Sequence, residues 1–230
     1  MKQIHSIYFF PALLAAATCL SACIKEKYTY PRRPVVPAPE EARSYVNETF
    51  DAIAKVDGQA LPAPAGWRSF AVVGTRTFQT GVLAQEGGGV MRGAMGTAYL
   101  STDTVNDFWL MMPPLDVSDS TATLSFQAGL TYSSASTEFM LMYSETYGGG
   151  ADAVNLSEWA EWPLQHIPET PSGPVKMTRQ APISFWGKGG DRKVVYVAFR
   201  YRSAVPPEDI AADDADRANY YLDNVVFRRK

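Results

Sequence analysis

From Val46 onward the apolar positions alternate with polar ones in short runs, and they do not recur at helical spacing. The runs that predict strands are residues 67–73, 97–100, 108–112, 122–130, 138–143, 175–183, 194–202 and 220–227. The clearest is KVVYVAFRY at 193–201, where Val195, Val197, Phe199 and Tyr201 fall on one face and Arg200 and Arg202 on the other. Glycines at 87–89, 148–150, 187, 189 and 190 punctuate the strands, as do the proline pairs 113–114 and 206–207. Helical turns are expected only at 46–54 and 156–162. Many short strands with Gly/Pro turns predict an all-β chain, folded as a jelly-roll β-sandwich. No internal repeat or second domain is visible.

The first residues follow a different pattern. Lys2 precedes an apolar stretch from Ile7 to Leu20, whose 14 residues suit a signal h-region and fall short of the ~20 that span a bilayer. The stretch ends in Leu20-Ser21-Ala22-Cys23, which resembles the lipobox of bacterial lipoproteins. That resemblance implies a signal peptide over 1–22, cut before Cys23, and a diacylglycerol on the Cys23 thiol. Multiple acyl chains anchor firmly, at ~0.8 kcal/mol per buried methylene. Residues 23–45 then form a lipidated, proline-rich linker with an extended bias, and 46–230 form the domain. Lys25, Lys27, Arg32 and Arg33 either touch anionic headgroups or belong to a solvated tether. The expected location is the cell envelope, lipid-anchored in the outer membrane. Only Glu26 follows the cysteine closely, so an acid-rich surface-export signal is weak and the membrane face stays open.

Composition removes several classes of function. The 21 basic and 24 acidic side chains give a net charge of −3, or −4 once Lys2 leaves with the signal, so no basic excess is available for nucleic acid. With Cys19 discarded and Cys23 acylated, no thiol remains for a disulfide, a nucleophile or a thiolate zinc site. The core alone must hold the fold; a domain of this size buries roughly 70% of its unfolded surface. His166 has neither a Gly-x-Ser-x-Gly serine nor a free thiol to activate, and no Walker loop exists. Glu158 and Glu161, spaced i, i+3, would share one helix face, whereas a glycosidase places two carboxylates across a cleft, ~5–9 Å apart. The reading is therefore non-enzymatic, against the alternative of a glycoside hydrolase or lyase whose distant acids leave no local signature.

Four groups of residues carry a second resemblance. Glu48-Thr49-Phe50-Asp51 precedes Pro64-Ala65-Gly66-Trp67. Asp107-Phe108-Trp109-Leu110-Met111-Met112-Pro113-Pro114-Leu115-Asp116-Val117 leads into Thr123-Leu124-Ser125-Phe126. Leu141-Met142-Tyr143-Ser144-Glu145-Thr146-Tyr147-Gly148-Gly149 follows, and the chain closes with VYVAFRY at 195–201 and YYLDNV at 220–225. In this order they resemble the adhesin-like jelly-roll domains of bacterial surface proteins, relatives of MAM domains and of gingipain cleaved-adhesin domains. The likeness covers about 46–228 and departs at the inserted Ala65 and the acidic segment 206–218.

The resemblance implies a galactose-binding-like or MAM-like sandwich. It also implies a structural calcium where the first and last strands run side by side, held by Glu48, Asp51 and Asp223. Calcium takes six to eight oxygens, so a few carboxylates with main-chain carbonyls suffice. By alternation Asp223 faces with Tyr221 and Val225, and capping backbone donors or pairing with an arginine are its other roles. Asp213, Asp214 and Asp216 form a second acidic cluster, read as a solvated loop. The resemblance makes Trp67, Trp109 and Trp159 core residues. Trp162 and Trp186, each beside turn residues, are left as the candidate ligand platform; Tyr147 and Tyr220 also belong to the aromatic set. Sugar rings stack on exposed aromatics, and binding interfaces enrich Trp and Tyr. The expected function is an envelope binding or adhesion module for a glycan or a surface protein. The alternatives are the carbohydrate-processing enzyme and a purely structural envelope component.

Overall fold

The alternation seen in the sequence builds two antiparallel sheets. The computed structural model describes residues 41–52, 58–84, 89–148, 154–171, 174–204 and 218–229, and Cys23 with the 213–216 cluster lies outside them. The strands are β1 (Tyr45–Glu48), β2 (Arg68–Val73), β3 (Gln79–Ala84), β4 (Val90–Gly96), β5 (Val105–Met111), β6 (Leu115–Asp116) and β7 (Thr123–Thr131). They continue as β8 (Thr137–Ser144), β9 (Ala160–Trp162), β10 (Thr178–Arg179), β11 (Ile183–Ser184), β12 (Val194–Ala204) and β13 (Asn219–Arg228). One sheet runs β10-β7-β13-β4-β3, with β1 also pairing β13 and β11 also pairing β7. The other runs β2-β5-β12-β8-β9, with β6 also pairing β12. Apart from β3–β4 and β8–β9, paired strands are not consecutive in the chain, and all named pairs are antiparallel, as in a jelly-roll sandwich.

Period-two patterning fills the space between the sheets. Leu124, Phe126, Leu222, Val225 and Phe227 of the first sheet meet Phe108, Leu110, Leu141, Val195, Val197, Phe199 and Tyr201 of the second in one buried cluster. Phe126 and Phe199 touch edge to face, with centroids 5.0 Å apart. Each fully buried side chain of this kind stabilises the fold by about 1.5–3 kcal/mol. The face assigned to Val195, Val197, Phe199 and Tyr201 is the inner one, as the alternation predicts.

Both outer faces are covered in part by the protein's own loops. On the second sheet, Trp109, Met111, Met140, Met142, Tyr196 and Ala198 pack with Tyr147 and Trp159 from the β8–β9 connection. On the first, Met91, Met95 and Tyr221 pack with Val175, and Met177 joins them. Gly129 permits this approach, because a Cβ there would lie 2.6 Å from a Val175 methyl carbon. Trp67, Trp109 and Trp159 are all buried, but Trp109 and Trp159 pack on an outer face and not between the sheets.

Four local expectations are corrected. Residues 45–48 form β1 against the last strand, where a helical turn was expected at 46–54; residues 53–57 lie outside the described set. The stretch 156–162 is a short 3-10 turn, Leu156–Glu158, followed by β9, so Glu158 and Glu161 do not share a helix face. Residues 97–100 leave the sheet as a loop, because the Ala98 N–H bonds the Tyr201 hydroxyl and not a neighbouring strand. The run 175–183 divides into β10 and β11 around buried Gln180, whose N–H reaches the Phe126 carbonyl.

Candidate functional site

With both faces partly covered, the large exposed apolar side chains lie chiefly at the ends of the sandwich. The far end is formed by the turn after β2, the β4–β5 loop and the β7–β8 loop. It exposes Val73, Tyr99 (48%), Leu100 (61%) and Tyr132 (52%). β4 and β7 flank β13, with Gly96 and Leu130 both opposite Tyr220, so these two loops start about 10 Å apart. Asn219 ties them together through Thr97 Oγ1 on one side and Thr131 Oγ1, 3.4 Å away, on the other.

Hydrogen bonds hold these loops, some buried beneath the β4–β5 loop and others at the surface. The Tyr201 hydroxyl donates to the Ala218 carbonyl at 3.0 Å and accepts from the Ala98 N–H at 3.1 Å. Ser101 donates to Asn106 Oδ1 at 2.9 Å, and Asn106 Nδ2 reaches the Asp103 carbonyl and Ser203 Oγ. The Asp103 carboxylate accepts from both the Thr75 hydroxyl and its N–H at 2.8 Å, and these bonds hold its pKa below the usual range. Arg76 donates to the Tyr99 carbonyl at 3.0 Å. Glu169 accepts from the Ser133 hydroxyl and N–H, which lower its pKa likewise.

Within this framework Leu100 and Tyr132 sit at φ +58° and +57°, a left-handed region that costs a bulky residue about 1–3 kcal/mol. Both side chains are exposed, so the fold gains no core packing in return. Leu100→Gly is accordingly expected to leave the melting temperature unchanged or to raise stability by up to about 1 kcal/mol, read by denaturant unfolding. A clear loss of stability would show that Leu100 packs to structural effect.

The residues expected from sequence are distributed differently. Trp186 is 57% exposed, on a turn braced by buried Phe185, by the Lys188 N–H bond to the Phe185 carbonyl, and by the Gly189 N–H bond to Glu145. Trp162 is half-buried: its pairing opposite Leu141 turns it toward Tyr143 and Phe185, with centroids 5.7 and 5.1 Å away. The two therefore do not form one exposed platform. Tyr147 is buried and Tyr220 is half-buried. His166 is exposed.

Asp223 is 6% exposed and stands at a β-bulge. One extra residue of β13 between Asp223 and Val226 leaves Asn224 at φ +50°. The bulge breaks the expected alternation: Val225 enters the inner core, whereas Asp223 does not share its face. The Asn224 N–H and Nδ2 donate to the Asp223 carboxylate at 2.6 and 2.9 Å. Burial pushes this carboxyl up to about 6, with the charges of Asp51 and Glu48 adding to the rise and the Asn224 N–H opposing it. Glu48 Oε1 itself accepts from the Phe50 N–H at 2.7 Å. The all-oxygen donor chemistry suits a hard cation. Among the described residues, however, no three such side chains converge tightly enough to hold one.

Because Asp223 titrates higher when folded, its contribution is fully present below about pH 4 and is lost as pH rises through 6. The stability of wild type relative to Asp223→Asn should fall by on the order of 2 kcal/mol between pH 4 and 7 in EDTA. Thermal unfolding across that range measures the difference, and parallel curves would refute it.

No family model matches the chain, and no curated protein matches it. Among solved structures, it is similar to the K1 cleaved adhesin domain of Lys-gingipain from Porphyromonas gingivalis W83, at 14% identity and TM-score 0.46, covering 82% of this chain and 99% of that one. The K3 cleaved adhesin domain of the same protein gives 16% identity and TM-score 0.47, covering 79% and 97%. A family 11 carbohydrate-binding module from Clostridium thermocellum, in complex with a β-1,3-1,4-mixed-linked tetrasaccharide, gives 13% identity and TM-score 0.33, covering 80% and 96%.

Proposed function

We propose that this protein is a non-catalytic binding module, held in the cell envelope by a lipid on Cys23, and that its far end recognises a glycan. The observation that carries the reading is the set Tyr99, Leu100 and Tyr132: exposed, two of them in strained backbone, the first two on a loop fixed by buried hydrogen bonds and the third on a loop held at the surface by Ser133 and Glu169. Preorganised aromatic side chains bind at low entropic cost, and sugar C–H faces stack on tyrosine rings. Asp103 and Glu169 supply ionised acceptors nearby for hydroxyl groups. A glycan array probed with the protein tests the reading: it predicts a hit that Tyr99→Ala/Tyr132→Ala abolishes. Turnover of the bound glycan would favour the enzyme alternative, and a silent array would favour a surface-protein partner or a structural role.

Trp186 supports a second reading through its exposure, in which the sugar stacks there with Trp162 behind it. Loss of the array hit in Trp186→Ala, with the tyrosine variant unaffected, would select that reading.

Structural calcium is a further part of the proposal. Glu48, Asp51 and Asp223, which do not converge on a common point in this structure, would have to close on the ion to supply the carboxylates, and a cation would offset the cost of burying an ionised Asp223. Millimolar calcium at pH 7 should then raise the melting temperature of wild type and not of Asp223→Asn. Identical melting in calcium and EDTA would remove the ion from the account.

A further inference from the structure

We infer that the end opposite the tyrosine loops is a membrane-facing rim, on which Tyr45, Arg228 and Trp186 rest against the anionic headgroups of the bilayer that holds the Cys23 lipid. The inference rests on the anchoring part of the function proposed above.

Strand register defines the rim. Tyr45 lies opposite Arg228, Arg228 opposite Thr123, and Thr123 opposite Ser184, in one row across the first sheet. At about 4.8 Å per strand the row spans about 14 Å. Tyr45 is exposed at one side, Arg228 is exposed beside it, and Trp186 projects two residues beyond Ser184 at the other side. The Trp186 N–H bonds Ser184 Oγ at 3.3 Å, and Phe185 is buried beneath it, so the indole is presented from a fixed turn. Trp and Tyr beside basic residues favour the membrane–water interface, where an apolar ring body and a polar edge are both accommodated.

The chain also joins the fold at this end. Arg43 bonds through its N–H to the Pro114 carbonyl and through its carbonyl to the Asp116 N–H, while the Arg229 N–H bonds the Ser44 carbonyl. A cavity of about 620 Å³ lies beside this junction, lined by Glu41, Arg43, Ser44, Tyr45, Gly66 and Pro113 among others. Seventeen residues separate Cys23 from Glu41, a reach of at most about 60 Å. The tether therefore permits contact without enforcing it, and it keeps the rim near the bilayer at an effective concentration of order millimolar. A weak contact suffices under that condition.

Attachment of the basic linker at this end supplies the direction. Residues 24–40 carry four basic side chains against two acidic, whereas residues 41–230 carry 16 against 22. An anionic surface attracts the first segment, which holds the end that it joins nearest the bilayer. Orientation rim-down leaves Tyr99, Leu100 and Tyr132 pointing away from the bilayer.

Trp186 can report on itself. Trp67, Trp109 and Trp159 are buried and Trp162 is half-buried, so quenching from outside falls chiefly on Trp186. The full chain, purified with its lipid, is reconstituted into phosphatidylethanolamine–phosphatidylglycerol vesicles with plain or brominated acyl chains. Brominated vesicles should quench the wild type at least threefold more than Trp186→Phe. Emission untouched by brominated lipid but fully quenched by aqueous acrylamide would overturn the rim, as would protection of Trp186 by a soluble glycan alone. Mass spectrometry of the same sample separates the two failures. An unacylated Cys23 overturns the anchoring reading and the rim with it, whereas an acylated chain with an unquenched Trp186 overturns the rim only.

Discussion

Asp107→Ala is expected to lower stability by about 3–5 kcal/mol, because it removes one member of a buried ion pair and leaves the other uncompensated. Asp107 is 4% exposed on the outer face of the second sheet. Arg200 Nε donates to its Oδ1 at 2.9 Å and Arg200 Nη2 to its Oδ2, a bidentate pair. Trp109 Nε1 donates to the same Oδ1 at 2.9 Å, and the Arg200 guanidinium lies 5.4 Å from the Trp109 ring centroid. Truncation therefore orphans a guanidinium and an indole N–H together. In a domain of this size the loss corresponds to a fall in melting temperature of roughly 10 °C. Asp107→Ala/Arg200→Met should recover most of it, since an apolar replacement removes the buried charge as well. A double variant no more stable than Asp107→Ala would show that the pair matters for another reason.

The second large effect is on binding. Tyr99→Ala/Tyr132→Ala is expected to weaken the glycan complex about 100-fold, the sum of two aromatic contacts of roughly 1–2 kcal/mol each. Both rings are about half exposed, so the melting temperature should hardly move. Titration calorimetry beside thermal unfolding separates the two effects. Tyr201→Phe is the companion case: it keeps the ring in the core and deletes the hydroxyl that joins Ala98 to Ala218. It should reduce both stability and affinity, because it loosens the base of the loop that carries Tyr99.

The strands that were legible in the sequence are those whose two faces differ most. In β12, Val195, Val197, Phe199 and Tyr201 face the core while Arg200 pairs with Asp107 outside, and a period of two records that directly. β3 and β4 gave no such signal, because Gly81, Gly93 and Gly96 interrupt them. Gly93 is there for a reason invisible to periodicity: a Cβ would lie 2.6 Å from the Leu222 carbonyl of the adjacent strand.

Site residues were legible only in part. Exposure of Trp186 follows from its glycine-flanked turn, but Trp162 lies in an added strand whose register is set by Leu141, far away in sequence. Pairing of the first and last strands brings Glu48 opposite Val225, near Asp223, but the three carboxylates expected there do not converge on one point. The bulge that reverses Val225 could not be read, because one extra residue leaves no compositional trace. Tyr99 and Leu100 were expected in a strand, and only the Ser101-Thr102-Asp103-Thr104 run beside them signals a loop. The loop that carries them is set by hydrogen bonds from the Ala98 N–H to the Tyr201 hydroxyl and from the Thr97 hydroxyl to Asn219, more than 100 residues away.

The most direct measurement is a glycan array run in parallel on the full-length protein, Tyr99→Ala/Tyr132→Ala and Trp186→Ala. One glycan class should be bound by the wild type and by Trp186→Ala, and lost in the tyrosine variant with its melting temperature preserved. Binding that survives in the tyrosine variant and disappears in Trp186→Ala would place the ligand at the opposite end of the sandwich and overturn the tyrosine site.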